Sequence, residues 1–199
     1  KIQLNGFKSF AEKADFLIED GLTGIVGPNG CGKSNIVESL RWAMGETSAK
    51  SMRGSGMEDV IFSGTSNKAS KNIAEVTIEV ENKDKEGPIQ YREHDQVQIK
   101  RKIEKDKGSK FYINGKEVRA RDAQMFFADL STGAHSPSMI SQGRIGALVT
   151  AKPTDRRAIL EEAAGISGLH VRRHEAELRL GAAENNLKRA DELRRQQEK

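Results

Sequence analysis

The residues with the clearest chemical meaning form one glycine-rich segment, Gly27-Pro28-Asn29-Gly30-Cys31-Gly32-Lys33-Ser34. It matches the pattern G-x-x-x-x-G-K-[ST], which is typical of loops that bind nucleotide phosphates. Glycines let backbone N–H groups face an anion, the Lys33 ammonium can reach the β- and γ-phosphates, and the Ser34 hydroxyl can bind Mg²⁺. We therefore predict a site for a nucleoside triphosphate with Mg²⁺. Cys31 has no evident part in this chemistry and is interpreted as a small, tolerated residue.

A phosphate loop of this kind lies between a strand and a helix. The apolar run at residues 22–26 is the predicted strand, and a helix is predicted from Lys33 to about Met44, with Trp42 in the core. Earlier apolar runs at residues 2–7 and 16–18 predict two further strands. These elements together predict a mixed β core that holds the loop.

The middle of the chain alternates apolar and polar residues with the period of half-buried strands. Such runs lie at residues 76–80 and 97–103. Phe111-Tyr112-Ile113 then leads into Asn114-Gly115, two residues that suit the positive-φ positions of a tight hairpin. These runs predict an antiparallel layer between residues 72 and 119, with a loop at residues 82–96.

The last third of the chain has helical patterns. Pro153 suits the first turn of a helix that ends near Gly165, and another helix is predicted after Gly168. In the latter, positions 169, 173, 176, 180, 183, 187 and 190 follow the alternating steps of four and three that define a coiled-coil seam, which Arg173 interrupts. An amphipathic helix packed on its own domain is the alternative. The predicted fold class is α/β with a projecting coiled-coil helix.

Composition argues against several classes of protein. Hydrophobic residues make up 36% and charged residues 31% of the 199, and no run approaches the ~18 apolar residues of a membrane span. No signal peptide opens the sequence and only one cysteine is present, so we expect a cytoplasmic protein without a membrane partner. The net charge of +4 permits nucleic-acid binding without arguing for it. The four histidines lack companions at metal-ligand spacing, so no zinc site is predicted.

Seven segments of the chain resemble, in the same order, the ATPases of the SMC (structural maintenance of chromosomes) family, and they look most like its bacterial members. They are residues 6–10 (GFKSF), 22–35 around the phosphate loop, 41–46 (RWAMGE), 57–62 (MEDVIF), 111–114 (FYIN), 140–143 (ISQG) and 156–165 (RRAILEEAAG). The resemblance covers almost the whole chain. It implies an ABC-type P-loop ATPase head that binds ATP and Mg²⁺.

The family builds this head from the two ends of one long chain. The resemblance therefore implies that residues 1–167 form the N-terminal lobe and residues 168–199 begin the coiled-coil arm. It places the catalytic glutamate and the signature motif on the C-terminal half, with no catalytic residue in this half. The implied partners are that C-terminal half, a second head in a homodimer joined through hinge and ATP, kleisin-type subunits, and DNA at the nucleoid. The implied role is ATP-driven chromosome condensation, partition and sister chromatid cohesion.

The resemblance also assigns site residues outside the loop. Gln142 matches the glutamine loop, where its side-chain oxygen would bind Mg²⁺ beside Ser34. Arg53 matches an arginine near the phosphates, and a guanidinium suits that place because its charge is permanent. Lys8 and Ser9 match a nucleotide-binding segment. A loop residue without a nucleotide contact remains the alternative for Gln142 and for Arg53.

Basic residues on or beside the antiparallel layer are candidates for DNA contact. They are Lys100, Arg101, Lys102, Arg119 and Arg121. At Arg119 and Arg121 the resemblance implies side chains that face DNA on engaged heads, and such residues neutralise phosphates regardless of base sequence. A solvated charged surface is the alternative for each. Residues 54–56 (GSG) lack the lysine that relatives often carry there.

Three other functions compete with this one. A head fragment of a related ATPase that repairs DNA double-strand breaks would share the loop and the coil, but the segments at residues 6–10 and 156–165 favour an SMC head. A small-molecule P-loop kinase would need a lid and a substrate pocket, and the heptad helix argues against it. A purely structural coiled-coil protein does not require an intact phosphate loop.

Overall fold

The computed structural model describes residues 1–82, 88–130, 139–140, 146, 149–164 and 167–197. Its strands are β1 (Ile2–Asn5), β2 (Ala14–Phe16), β3 (Ile73–Glu81), β4 (Gln96–Glu104), β5 (Gly108–Ile113) and β6 (Lys116–Val118). Its helices are α1 (Lys33–Ala43), α2 (Ala120–Asp129), α3 (Pro153–Ala163) and α4 (Ser167–Gln197), with single 3-10 turns at Lys50–Met52, Met57–Val60 and Ile89–Tyr91. The fold class is α/β, as predicted.

The six strands form one antiparallel sheet in the order β2-β1-β3-β4-β5-β6. The long pair β3–β4 runs in register from Ile73↔Glu104 to Glu81↔Gln96. Because side chains alternate across a strand, the apolar positions of both strands face one side, together with Arg101, and the other charged positions face the opposite side. At the β5–β6 hairpin, Asn114 and Gly115 have φ values of +48° and +79°. The predicted antiparallel layer and its hairpin are confirmed.

Helices α1 and α2 cover the apolar face of this sheet. Trp42 from α1 is fully buried and its ring centroid lies 5.5 Å from that of Phe7, while Phe126 and Phe127 of α2 are also in the core. Helix α1 begins at Lys33, as predicted, and places its first turn beside the phosphate loop. The core therefore fixes the helix that follows the loop.

The strand predicted at residues 22–26 is wrong. This segment has no strand in the structure, and Leu22 and Val26 are 97% and 92% exposed. The second strand ends at Phe16, so Leu17 and Ile18 are also exposed. A strand forms only where a neighbour supplies backbone hydrogen bonds, and none does so here. The predicted mixed β core is therefore not formed, because the sheet described above is antiparallel throughout.

The two C-terminal helices are confirmed. Helix α3 begins at Pro153, and α4 runs for 31 residues, about 46 Å at 1.5 Å per residue. Helix α4 contacts α2 and α3, while Leu180 and Leu187 on its heptad seam are exposed. The pairing of this seam in a coiled coil stays a prediction. No helix in the described ranges combines the length and hydropathy that a bilayer crossing requires.

Candidate nucleotide-binding site

The phosphate loop connects the exposed segment 22–26 to α1 and depends on its glycines for its shape. Gly30 and Gly32 have φ values of +83° and +95°, in the left-handed region that favours glycine. A Cβ atom on Gly32 would lie 2.8 Å from Ser9 Oγ. Gly32 is therefore required both by its backbone conformation and by the close approach of Ser9.

The N-terminus of α1 is suited to an anion. The N-cap residue is Gly32, which has no side chain to cap the helix, and the first turn holds no acidic residue. The first N–H groups of a helix lack intrahelical partners and carry its positive dipole end. Lys33 Nζ donates to the carbonyl oxygens of Gly27 at 2.6 Å and Pro28 at 2.5 Å, so its ammonium lies over the loop. The Ser34 side chain, which follows it, is exposed.

A cavity of about 380 Å³ adjoins the loop. Its apolar wall comes from β2 and the segments before and after it, and includes Phe10, Phe16, Leu17, Ile18 and Ile25. Cys31 and Lys33 line its other side. The loop therefore lies beside apolar surface.

Three residues assigned only by the resemblance converge on the first two turns of α1. Asn35 Nδ2 donates to Ser9 Oγ at 2.9 Å, and Arg53 Nη2 donates to Asn35 Oδ1 at 3.1 Å. Glu38 forms ion pairs with Lys8 Nζ through Oε2 and with Arg53 Nε through Oε1. Two side chains of one helix thus hold Lys8, Ser9 and Arg53 beside the loop.

The sequence reasoning missed Asn35 and Glu38. Glu38 lies one helical turn after Ser34, and its neighbour Ser39 is buried. An acidic residue beside the buried positions of an amphipathic helix was an available signal, because a buried carboxylate requires a charged or hydrogen-bonding partner. Periodicity alone could not have named those partners, which come from two other parts of the chain.

Both partners of Glu38 have an unusual backbone. Lys8 and Arg53 have φ values of +45° and +54°, the left-handed region, which costs a residue with a Cβ about 1–2 kcal/mol. Such conformations persist where the surrounding contacts fix them, and they are frequent at functional sites. The ion pairs to Glu38 are contacts of that kind.

The candidate DNA-contacting arginines lie at the junction of β6 and α2. Arg119 and Arg121 are both exposed, and the Arg119 N–H donates to Asp122 Oδ2 at 3.2 Å. Lys102 lies on the outer face of the sheet, where its Nζ is 3.7 Å from Glu75 Oε1. The outer face therefore carries acidic as well as basic side chains, and the β6–α2 junction presents two arginines close together in sequence.

The assignment of Arg101 to a DNA-facing surface is wrong. Arg101 is only 3% exposed, because it lies on the apolar face of β4. Its Nη1 donates to the carbonyl oxygens of Trp42 and Glu46, both at 2.7 Å, and its Cζ lies 4.5 Å from the Trp42 ring centroid. Burial lowers the pKa of Arg101 to about 10, opposed by the nearby charge of Glu46. Arg101 therefore anchors the C-terminal end of α1 to the sheet.

The predicted Mg²⁺ ligand Gln142 lies outside the described residues. Among those that are described, no group of three or more His, Cys, Asp or Glu side chains could hold a metal ion. The exposed hydroxyl of Ser34 is a hard oxygen donor, which suits Mg²⁺ better than a soft metal.

Comparisons with known proteins agree with this architecture. Residues 1–144 match the family described as the RecF/RecN/SMC N terminal domain. The chain is 56% identical over 193 residues to the chromosome partition protein Smc of Rhodopseudomonas palustris, covering 97% of this chain and 17% of that relative. This chain thus spans about 17% of the length of that relative.

Two solved structures are also similar. One is the Smc head domain of Pyrococcus furiosus with an extended coiled coil, bound to the C-terminal domain of ScpA. It has a TM-score of 0.74 and 33% identity, over 96% of this chain and 48% of that one. The other is described as "Structural biochemistry of ATP-driven dimerization and DNA stimulated activation of SMC ATPases", with a TM-score of 0.70 and 30% identity, over 81% of this chain and 96% of that one.

Proposed function

This chain belongs to the RecF/RecN/SMC N-terminal domain family, and we propose that it is the ATP-binding N-terminal lobe of an SMC head that works in bacterial chromosome partition. The observation that carries the proposal is the phosphate loop at residues 27–34, which leads into the uncapped N-terminus of α1 with Lys33 over the loop. This arrangement offers backbone N–H groups, a helix dipole and an ammonium to one anion.

The residues of this lobe bind and orient the nucleotide. Residues 27–34 surround the β- and γ-phosphates, with Lys33 neutralising their charge. The Ser34 hydroxyl and the Gln142 carboxamide would hold Mg²⁺, which would supply positive charge beside the phosphates. Arg53 would contact the same phosphates, with Ser9 and Lys8 held beside the same helix. The ion pair of Arg53 with Glu38 and its hydrogen bond to Asn35 support this placement.

The C-terminal half of the same head completes the fold. Leu17, Ile18, Leu22, Ile25 and Val26 are all exposed apolar side chains just before the loop. In an ABC-type head this segment would pair with a strand of the other half, and burying two such side chains contributes roughly 1.5–3 kcal/mol each. We assign residues 1–167 to the lobe and 168–199 to the start of the coiled-coil arm.

The lobe alone is expected to hydrolyse ATP negligibly. The carboxylate of Glu38 pairs with two cations, and Asp59 Oδ2 accepts hydrogen bonds from the N–H groups of Ser55 at 2.6 Å and Gly56 at 3.0 Å. Glu58 Oε1 accepts from the Asp106 N–H at 2.9 Å. None of these carboxylates is placed to activate water. The resemblance to SMC heads implies that the catalytic glutamate belongs to the C-terminal half.

The assembled protein then acts on DNA. One similar structure is described in terms of ATP-driven dimerization and DNA stimulated activation, and another contains a domain of ScpA. We extend these properties to this chain: two heads sandwich ATP in a homodimer also joined through its hinge, a kleisin-type subunit binds the head, and Arg119 and Arg121 contact DNA at the nucleoid. ATP hydrolysis in the cytoplasm, away from any membrane, would then drive chromosome condensation, segregation and sister chromatid cohesion.

The test compares ATP binding and phosphate release for the chain with and without its C-terminal half. Lys33→Ala removes charge-assisted hydrogen bonds worth about 1.5–3 kcal/mol each, so its Kd for ATP measured by calorimetry should rise about 10- to 100-fold. Lys105→Ala, an exposed lysine at the β4–β5 turn, is the matched control and should leave Kd unchanged. Equal ATP binding by Lys33→Ala and wild type would show that the loop is not the site. Full turnover by the lobe alone would show that it contains its own catalytic base.

A further inference from the structure

We propose that Glu38 is a positioning residue that holds Lys8 and Arg53 and thereby aims the Arg53 guanidinium at the nucleotide phosphates. In this arrangement Lys8 acts through Glu38 and not on the nucleotide itself. The inference rests on the proposed function, because it assigns roles within the same nucleotide site.

The two oxygens of Glu38 are divided between two cations. Oε2 pairs with Lys8 Nζ and Oε1 pairs with Arg53 Nε, while the Glu38 side chain is only 9% exposed. A carboxylate taken out of water requires such partners, and each partner in turn loses its counter-charge if the carboxylate is removed. Glu38 lies on α1, the helix that directly follows the phosphate loop. Its carboxylate therefore holds both cations at a defined position relative to the loop.

Lys8 is held within the cluster that it forms with Glu38 and Arg53. Its side chain is 13% exposed, and its Nζ also donates to the carbonyl oxygen of Met52. Met52 is fully buried and directly precedes Arg53 in the chain. The ammonium thus connects Glu38 to the backbone of the very turn that carries Arg53. It fixes the start of the Arg53 side chain as well as neutralising Glu38.

Arg53 remains accessible to a ligand. Its side chain is 58% exposed, although Nε pairs with Glu38 and Nη2 donates to Asn35 Oδ1. A guanidinium has five N–H donors in a rigid plane. Two anchors on that plane, both on α1, fix its orientation and leave donors that can reach phosphate oxygens. Lys8 and Arg53 thus differ in exposure, and only Arg53 is open enough to contact the nucleotide.

The backbone supports the same division of roles. Lys8 and Arg53 are two of the four non-glycine residues with positive φ in the described part of the chain. Both cations that pair with Glu38 therefore adopt a backbone conformation that residues with a Cβ atom avoid. A cluster that only filled the core would not require this at both positions. Holding a guanidinium at one place beside a phosphate loop does require a fixed backbone.

The test is a double-mutant cycle of Glu38→Gln and Arg53→Ala in the full-length protein. ATP affinity is measured by calorimetry, and kcat is measured by phosphate release at saturating ATP. Glu38→Gln keeps the shape of the side chain and removes its charge. We expect Glu38→Gln and Arg53→Ala each to lower kcat about tenfold or more, because a small displacement of a group that acts on the reacting phosphates can cost up to about a hundredfold. The double variant should lose no more than Arg53→Ala alone, since Glu38 acts through Arg53. Lys8→Met should lower kcat in the same way with Kd for ATP changed less than about threefold.

The matched control is Glu75→Gln, which removes a carboxylate paired with Lys102 on the outer face of the sheet and should leave kcat unchanged. Losses that multiply in the double variant would overturn the proposal, as would a lower Tm for Glu38→Gln with an unchanged kcat. If Glu38→Gln does not fold, Asn35→Ala, which removes the other anchor of Arg53, takes its place in the double-mutant cycle with Arg53→Ala. Losses of kcat that multiply in that double variant would again overturn the proposal. Unchanged ATP binding by Lys33→Ala would instead refute the proposed function. The two failures are therefore distinguishable, because one appears in the ATP affinity of Lys33→Ala and the other in the kcat values of the cycle.

Discussion

Arg101 should be far more sensitive to substitution than its neighbour Lys102, although both carry a charge. It lies on the apolar face of β4 and reaches the end of α1, where the carbonyl oxygens of Trp42 and Glu46 accept its hydrogen bonds at 2.7 Å. Its Cζ also lies 4.5 Å from the Trp42 ring and 4.7 Å from the Phe111 ring. The informative changes are Arg101→Ala and Arg101→Met.

The magnitude follows from these contacts. Arg101→Ala leaves a cavity between two aromatic rings and deprives the Glu46 carbonyl of its donor, which together cost about 3–5 kcal/mol. Burial disfavours the guanidinium charge and lowers its pKa to about 10. Arg101→Met introduces no buried charge and refills most of the space, but it cannot donate to the Glu46 carbonyl, so its expected loss of stability is smaller, about 1–3 kcal/mol. With a urea m-value of about 2 kcal/mol/M, the urea midpoint of the alanine variant should be about 1.5–2.5 M lower than that of the wild type.

The assay is urea unfolding followed by the fluorescence of Trp42, the single tryptophan of the chain, whose ring lies against Arg101. Lys102→Ala is the matched control, because it is the next residue on β4 and faces the other side. Its partly exposed pair with Glu75 should contribute no more than about 1 kcal/mol. If Arg101→Ala shifts the midpoint no further than Lys102→Ala, the assignment of Arg101 as an anchor is refuted.

Three further predictions concern the surface of the lobe. Replacing Arg119 and Arg121 together by alanine should lower the slope of log K against log salt for DNA binding by about 1.8 in fluorescence anisotropy of the assembled head, at about 0.9 per phosphate contact. An unchanged slope would place the DNA surface elsewhere, and Lys107→Ala with Lys110→Ala, two lysines paired with glutamates, is the control. The double change Leu22→Ser and Val26→Ser should weaken binding of a separately expressed C-terminal half by at least about 100-fold in a titration, because the apolar surface lost is worth roughly 1.5–3 kcal/mol per side chain. The control Leu178→Ser on α4 should leave this affinity unchanged. Equal affinities for the double variant and the wild type would refute the pairing. Backbone hydrogen bonds from Gly56, then Ser55, lower the pKa of Asp59 below its ordinary value of 3.8. A carboxyl with a depressed folded pKa stabilises the fold above its unfolded pKa and ceases to do so as pH falls through the folded pKa. The Tm difference between wild type and Asp59→Asn should therefore be full at pH 7 and shrink below pH 3.8, and a constant difference over that range would contradict this origin.

Local patterns were sufficient for the parts of the fold that depend on local physics. Period-two alternation predicted β3 and β4, Asn114-Gly115 predicted a hairpin, and Pro153 marked the start of α3. The residues after the glycine-rich segment predicted the helix that begins at Lys33. In each case the preference of a few neighbouring residues and the final structure agree.

The strand at residues 22–26 failed for a reason that no local pattern contains. Its composition suits a buried strand, but a strand also needs a neighbour to accept and donate its backbone hydrogen bonds. Arg101 failed in the opposite way. It occupies an apolar position in the alternation of β4, and its charge suggested exposure to solvent. The carbonyl oxygens of Trp42 and Glu46 and two aromatic rings instead provide a buried environment for it. In both cases the outcome depends on groups distant in sequence.

Lys8, Ser9 and Arg53 were assigned to the site only through the family resemblance, and the structure adds what connects them. Helix α1 is the common element: its N-terminus follows the phosphate loop, Asn35 and Glu38 in its first two turns hold Ser9, Lys8 and Arg53, and its C-terminal end is bound by Arg101 of β4. Each of these contacts is polar and directional, so a displacement of the sheet against α1 would also displace the loop and the arginine beside it. The sheet, whose β6 strand is followed by Arg119 and Arg121, is therefore joined through α1 to the phosphate loop and to Arg53.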